Sequence, residues 1–261
     1  MAVSEVSTAI LKSVYFVREK RYQKLVLSQP VPRHIAIIMD GNRRFAEQLG
    51  LTSIHGHEKG RDKLEELLAW CLELDIKVLT VYAFSTENLN RDTDEVRSLL
   101  KLFEKNFYLL GDDKRVHKNK IKVTVLGQRE LLPKRIRTAI GYAEDQTKDY
   151  DRYFFNLAIA YGSRQEITQA IKSIAQDAKD GKINIDKIDE ELVSSYLYTS
   201  DFPDPDLVLR TSGEERISNF LLWQLAYSEL YFADVYWPGF RKLDFLRAIY
   251  SYQLRKRRYG E

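Results

Sequence analysis

The arginines Arg44, Arg91, Arg164, Arg210 and Arg216 stand in short polar segments, "MDGNRR", "AFSTENLNR", "AYGSR" and "LRTSGEERIS". Each segment follows a run of apolar residues. A guanidinium fork grips phosphate oxygens in pairs, and backbone amides ahead of a helix favour anions. The pattern points to a site for more than one phosphate group. Gly41 and Gly213 either let backbone approach such a group closely or serve a turn alone. Asp40 is an acid among bases, and two roles are open to it. It can pair with Arg43 or Arg44, or it can hold Mg2+, which takes few protein carboxylates and completes its shell with water and phosphate oxygens. Neither Gly-x-x-x-x-Gly-Lys-[Ser/Thr] nor Gly-x-Gly-x-x-Gly occurs, and "GHEKGRDK" has the wrong spacing. The common nucleotide pockets are excluded on that ground.

The elements that position these residues are legible from periodicity. After "QPVPR", whose prolines disfavour helix, "HIAIIMD" reads as a short buried strand. Further strands are predicted over 77–85, 121–127, 153–160, 206–213 and 230–238. Helices are predicted over 57–74, with Leu64, Leu67, Leu68, Cys71 and Leu72 on one stripe, over 93–110, 132–148 and 164–180, and from Lys242 onward. Apolar strands alternating with amphipathic helices predict an α/β fold, a mainly parallel six-stranded central sheet flanked by helices. Ligands of such sheets sit outside the carboxyl ends of the strands, and all four arginine segments fall there.

A chain of 261 residues, 44% hydrophobic, suits one large domain; residues 31–261 are taken as that domain and 1–30 as a helical extension. Forty-one basic against 38 acidic residues leave a net charge of +3, so nucleic acid is not an expected partner. A single cysteine, Cys71, forms no internal disulfide, and there is no Cys/His cluster for zinc. No apolar run reaches the ~20 residues that span a bilayer, and none resembles a signal peptide. A soluble cytoplasmic protein is expected. Residues 10–27, "ILKSVYFVREKRYQKLVL", interleave apolar and basic side chains. They read as a helix docked on the body, or as peripheral contact with an anionic membrane surface.

"HIAIIMDGNRRFA", "HGHEKG", "LTVYAFSTENLNR" and "DLVLRTSGEERISNFLLWQLAYSELYFADVYWP" occur in this order between Arg33 and Gly260. Together they resemble the cis-prenyltransferases, the undecaprenyl and dehydrodolichyl diphosphate synthases. The resemblance implies a homodimer with a hydrophobic tunnel, condensing isopentenyl diphosphate onto an allylic prenyl diphosphate with a new Z double bond. It implies Mg2+ on Asp40, with Glu229 as a second metal carboxylate; a residue ending a helix is the alternative for Glu229. Gly41, Asn42, Arg43 and Arg44 would wrap the allylic diphosphate. Arg210, Arg216, Ile217 and Ser218 would hold that of isopentenyl diphosphate. Ser85, Thr86, Glu87, Asn88, Leu89 and Arg91 match the loop after the second strand. Asn42 and Asn88 fall near the proton to be lost, where an amide orients rather than accepts it. His57 fits diphosphate contact or proton relay, or a structural role. Phe45, Leu67, Leu68, Phe84, Leu89, Phe103, Phe107 and Phe155 are candidate tunnel walls, although core packing accounts for each as well. No Asp-Asp-x-x-Asp motif of the trans enzymes is present.

Some positions depart from the bacterial pattern. Arg43 replaces a glycine, as in the dolichol-type "DGNRR", and Phe45 and Leu89 replace tryptophans. Ser53 stands where the family has a further diphosphate-binding arginine, a charge-assisted contact worth ~1.5–3 kcal/mol. Irregular joining of prenyl units, or a different acceptor, is the alternative this raises. A non-catalytic partner subunit is the other; the presence of Asp40, Asn42, Arg44, His57 and Asn88 weighs against it. "RRYG" near the end reads as a segment reaching a neighbouring subunit's site, or as a solvated basic tail.

Overall fold

Six apolar runs form the sheet. The computed structural model describes residues 2–255, those before 13 by backbone alone. The strands are β1 (His34–Ile38), β2 (Val78–Ser85), β3 (Ile121–Leu126), β4 (Tyr153–Tyr161), β5 (Leu207–Thr211) and β6 (Glu229–Ala233). Their order is β3-β4-β2-β1-β5-β6, and every pairing is parallel. The expected α/β sheet is therefore wholly parallel; β1 and β5 are buried along their whole length, and β2 over its first four residues.

The helices are α1 (Ala2–Leu27), α2 (Asn42–Gln48), α3 (Ser53–Glu73), α4 (Thr93–Asp112), α5 (Lys114–Asn119), α6 (Lys134–Thr147), α7 (Ser163–Lys179), α8 (Glu190–Ser195) and α9 (Lys242–Leu254). Side chains alternate across the strands, so Ile35, Ile37, Leu79, Val81, Val123 and Leu209 enter the larger core under α3, α4, α6 and α9. Ala36, Ile38, Ala158 and Val208 enter a smaller one closed by Tyr161, Phe220 and Leu221. α1 lies along α9: Tyr15 Oη accepts from the Leu243 N–H, and Gln253 Nε2 donates to the Val26 carbonyl at the end of α1. No helix among the described residues is long and apolar enough to cross a membrane. The "RRYG" tail lies outside the described residues.

The helix α2 was not anticipated, because "NRRFAEQ" carries no apolar stripe. Tertiary packing holds it. Gly41 precedes it at φ +102°, where a Cβ would stand 2.6 Å from the Tyr236 ring. Gly56 and Gly60 of α3 let the two helices touch: a Cβ on Gly56 would lie 2.2 Å from the Asn42 carbonyl oxygen. Glycine is thus required at 41 by conformation and at 56 by contact.

Candidate active site

Parallel register carries β1, β2 and β5 to one edge of the sheet, and Ile38 pairs with Arg210. Asp40 follows β1, fastened by Thr211, whose hydroxyl accepts from the Asp40 N–H at 2.9 Å and donates to its carbonyl at 2.7 Å. The Asp40 carboxylate then lies between two guanidinium groups. Arg44 Nη2 donates to Oδ1 at 3.0 Å, and the buried Arg210 donates through Nη2 to Oδ2 at 2.7 Å. Burial pushes the Asp40 carboxyl up, but the hydrogen bond and charge of Arg210, then those of Arg44, outweigh it and hold it below the ordinary carboxylate range. The group is an anion at neutral pH.

Each arginine is held again from behind. Arg44 donates to Ser212 Oγ and Glu214 Oε1, both at 2.9 Å, and lies over the Tyr236 ring. Arg210 donates to Ser218 Oγ at 2.7 Å and to the Arg216 carbonyl. Glu214 also pairs with Arg216. Across the cleft, Glu95 at the start of α4 faces Arg43 at 3.5 Å, Arg91 at 3.5 Å and His57 Nε2 at 3.4 Å. Burial keeps the His57 imidazole below its ordinary value despite Glu95, so it is neutral at pH 7.

Asn88 closes a capping box after β2. Its N–H donates to Ser85 Oγ at 3.2 Å, and its Oδ1 accepts from the Ser85 N–H at 3.1 Å. With Oδ1 engaged by the Ser85 N–H, the rest of the Asn88 amide is a donor, not a base. Asn42 Oδ1 is buried without a partner, against Gly60.

Asp40, Gly41, Asn42, Arg43, Arg44, His57, Ser85, Glu87, Asn88, Arg91, Arg210, Arg216 and Ser218 all line one open cleft of about 710 Å³. Thr86, Leu89, Phe45 and Ile217 are not part of this lining. Ser53 opens α3, also outside it. Arg164 is likewise outside, at the first turn of α7. Glu229 is not brought to the cleft within the chain. It opens β6 opposite Leu207, at the far end of the strand pair from Arg210, and pairs with Arg255. Three residues of strand separate those levels, about 10 Å, so one chain does not build the expected Asp40–Glu229 metal pair. No cluster of three or more His, Cys, Asp or Glu that could hold a metal occurs among the described residues. The donor set fits a cation shared with substrate oxygens: one ionised carboxylate with spare lone pairs, ringed by arginines.

Sequence reasoning missed Glu95, Glu214, Ser212, Asn219 and Tyr236. Only Arg91 and Glu95, four apart on one face, carried a local signal.

Behind the polar cleft lies an apolar cavity of about 150 Å³ between α3 and α4. Leu64, Leu68, Phe103, Phe107 and Phe155 line it, with Arg61, Glu65, Asp113 and Arg115 among its lining. Phe84 lines the cleft, and its ring meets Phe103 edge-on at 6.0 Å. This aromatic pair stands between the polar and apolar spaces. Of the other candidate walls, Leu67 is core, and Phe45 packs beside Gly239.

Comparison with known proteins finds relatives along most of the chain. The family described as "Putative undecaprenyl diphosphate synthase" matches residues 38–260. The chain is 57% identical over 245 residues to a Thermoplasma acidophilum protein named tritrans,polycis-undecaprenyl-diphosphate synthase (geranylgeranyl-diphosphate specific), covering 92% of this chain and 95% of that one. A protein of the same name from Thermoplasma volcanium is 55% identical, with 99% and 97% covered. Among solved structures, the lavandulyl diphosphate synthase of Lavandula x intermedia in complex with dimethylallyl diphosphate superposes with a TM-score of 0.85 at 36% identity, covering 88% of this chain and 99% of that one.

Proposed function

Because this chain belongs to the undecaprenyl diphosphate synthase family of cis-prenyltransferases, we propose that its allylic substrate is geranylgeranyl diphosphate and its product a polyprenyl diphosphate of undecaprenyl length. The chain is an enzyme, a prenyl transferase that condenses isopentenyl diphosphate onto an allylic prenyl diphosphate with Z geometry. The starter and the length are taken from the names of its relatives. One observation carries the residue assignment: Asp40 held between Arg44 and Arg210 at the strand edge, beside an apolar cavity.

In this reading the main-chain N–H groups opening α2, with Arg43 and Arg44, hold the allylic diphosphate, and Arg210, Arg216 and Ser218 hold that of isopentenyl diphosphate. Asp40 would hold Mg2+, which supplies charge neutralisation on the departing diphosphate. The allylic carbon–oxygen bond breaks with its electron pair kept by the diphosphate, and Arg44 stabilises that charge. The π electrons of isopentenyl diphosphate form the new carbon–carbon bond. A proton then leaves, and its C–H pair becomes the Z double bond. Asn88, a donor here, orients the diphosphate oxygen that takes the proton. A cavity of about 150 Å³ takes a ligand about the size of benzene, so a growing chain enters only as α3 and α4 part.

The protein acts as a homodimer in this reading, with residues 31–261 as the catalytic domain. The extension 1–30 meets anionic lipid through exposed Phe16 and Val17 of α1, beside Arg18, Lys20 and Arg21. The test is incubation with labelled isopentenyl diphosphate, Mg2+ and either geranylgeranyl or farnesyl diphosphate, followed by chromatography of the dephosphorylated product. Faster turnover of the geranylgeranyl starter to a Z-polyprenol of undecaprenyl length is expected; no Z-prenyl product refutes the reading. Ser53 favours a second reading, irregular joining, which predicts a branched product from the allylic diphosphate alone.

A further inference from the structure

We propose that Asn219 is a positioning residue that sets the register between the two loops of the cleft. One loop follows β2 and carries Glu87 and Asn88; the other follows β5 and carries Arg216 and Ser218. The inference rests on the assignment of Arg210, Arg216 and Ser218 to the diphosphate of isopentenyl diphosphate.

Every polar group of the Asn219 side chain is engaged, by Glu87 of the loop after β2 and by the first turn of α7. Its Oδ1 accepts from the Arg164 N–H at 2.8 Å, and its Nδ2 donates to Gln165 Oε1 at 3.1 Å and to Glu87 Oε1 at 3.2 Å. Its backbone carbonyl accepts from the Ser163 N–H at 2.8 Å. The residue before α7, Gly162, offers no side-chain cap. Asn219 supplies it from another part of the chain and so docks the β5 loop on the start of α7. Gly162 makes room for this arrangement. A Cβ there would stand 2.3 Å from Gln165 Oε1 and 2.7 Å from Asn219 Nδ2.

The backbone around Asn219 is unusual. Ser218, Asn219 and Leu221 have φ of +48°, +62° and +47°. Left-handed backbone is uncommon for residues other than glycine, and such a turn persists only where its surroundings hold it. On one side of Asn219, Ser218 Oγ accepts from Arg210. On the other, the buried Phe220 stacks on Tyr82 at 4.7 Å and 12°. The Asn219 amide thus fixes where the Ser218 hydroxyl meets Arg210. Through Glu87, which ordinary burial pushes up but hydrogen bonds from its own N–H, Ser85, Asn219 and Thr86 hold ionised, it fixes the neighbouring Asn88 against the same point.

Asn219→Asp tests this. It suits the left-handed backbone and keeps an acceptor for Arg164, but it turns the donor facing Glu87 into a second carboxylate. Loss of that charge-assisted bond is expected to raise KM for isopentenyl diphosphate by about tenfold, with KM for the allylic diphosphate within about twofold of wild type. Adding Glu87→Gln restores a donor across the gap, so the double variant is expected to recover most of the loss when each is compared with Glu87→Gln alone. An unchanged KM for isopentenyl diphosphate in Asn219→Asp, or no recovery in the double variant, overturns the proposal. If Asn219→Asp fails to fold by circular dichroism, Asn219→Gly, which keeps the left-handed backbone, must show the same selective rise in KM, and its absence overturns the proposal equally. Ser218→Ala separates the two levels. If it leaves that KM unchanged, the subsite assignment fails; if it raises KM while the Asn219 variants do not, only the role of Asn219 fails.

Discussion

Gly60→Ala places one methyl group where α3 crosses the start of α2, and its effect can be worked out from the contact it makes. A Cβ at 60 would stand 2.4 Å from Asn42 Oδ1, 3.0 Å from Cγ and 3.1 Å from Nδ2. Carbon and oxygen atoms in close contact lie about 3.3–3.6 Å apart, so the amide must withdraw by about 1 Å. It is free to do so, because Oδ1 has no hydrogen-bond partner and the group sits at the end of its side chain. The backbone need not shift, and alanine in a helix interior gains about 0.8–1 kcal/mol over glycine. The variant is therefore expected to be as stable as wild type or slightly more so. If the Asn42 amide positions the reacting groups, a displacement of that size costs on the order of 10²-fold in kcat. Thermal unfolding and steady-state condensation of labelled isopentenyl diphosphate test the two halves separately. Full stability with kcat within about threefold of wild type would refute the role given to Asn42. Gly56→Ala is the contrast: its Cβ meets the Asn42 carbonyl oxygen at 2.2 Å, backbone that cannot turn aside, so that variant loses stability as well.

Arg210→Met removes the guanidinium shared by Asp40 and Ser218; at ~1.5–3 kcal/mol per charged hydrogen bond, KM for isopentenyl diphosphate should rise by roughly 10²-fold in steady-state assays. Leu68→Trp fills the cavity between α3 and α4 and is expected to shift the product mixture to shorter chains on reverse-phase chromatography, with little change in KM for either diphosphate. His34 gives a pH dependence of stability. Burial holds it down to about 4, whereas the unfolded chain takes that proton near 6.5. The unfolded state therefore binds more protons as the pH falls through this window. Stability should be flat above about pH 7 and lower by about 2 kcal/mol at pH 5. Urea midpoints of wild type and His34→Gln over that range measure the contribution, which is the steeper fall of the wild type.

What the sequence revealed of the fold follows from burial. Strands such as "IAII" and "LVL" lie inside on both faces and read as unbroken apolar runs. The polar residues at their ends had nowhere to go but the carboxyl edge, so Asp40, Ser85 and Arg210 were legible as neighbours. The helix α2 was hidden, because its stability comes from Gly56, Gly60 and Tyr236 rather than from its own periodicity. Glu95 and Glu214 were hidden because most of their partners are distant in sequence, Arg43 and the neutral His57 for one, Arg44 for the other. Glu229 shows the converse failure: a motif places a residue in the chain but not on a strand. Only the pairing of Leu207 with Glu229 reveals that it starts β6 at the edge remote from Asp40. Asn219 lay inside a recognised motif, yet nothing local marks a side chain whose partners come from α7 and the β2 loop.

The central claim is that Asp40, between Arg44 and Arg210, is where a divalent cation and a diphosphate meet. Crystals of the protein soaked with pyrophosphate and Mn2+ test it directly, because the metal is located by its anomalous scattering. The account predicts a peak within about 2–2.5 Å of an Asp40 carboxylate oxygen, with the pyrophosphate bridging the metal to Arg44. Metal and pyrophosphate bound elsewhere, with Asp40 still clasped only by its arginines, would contradict it.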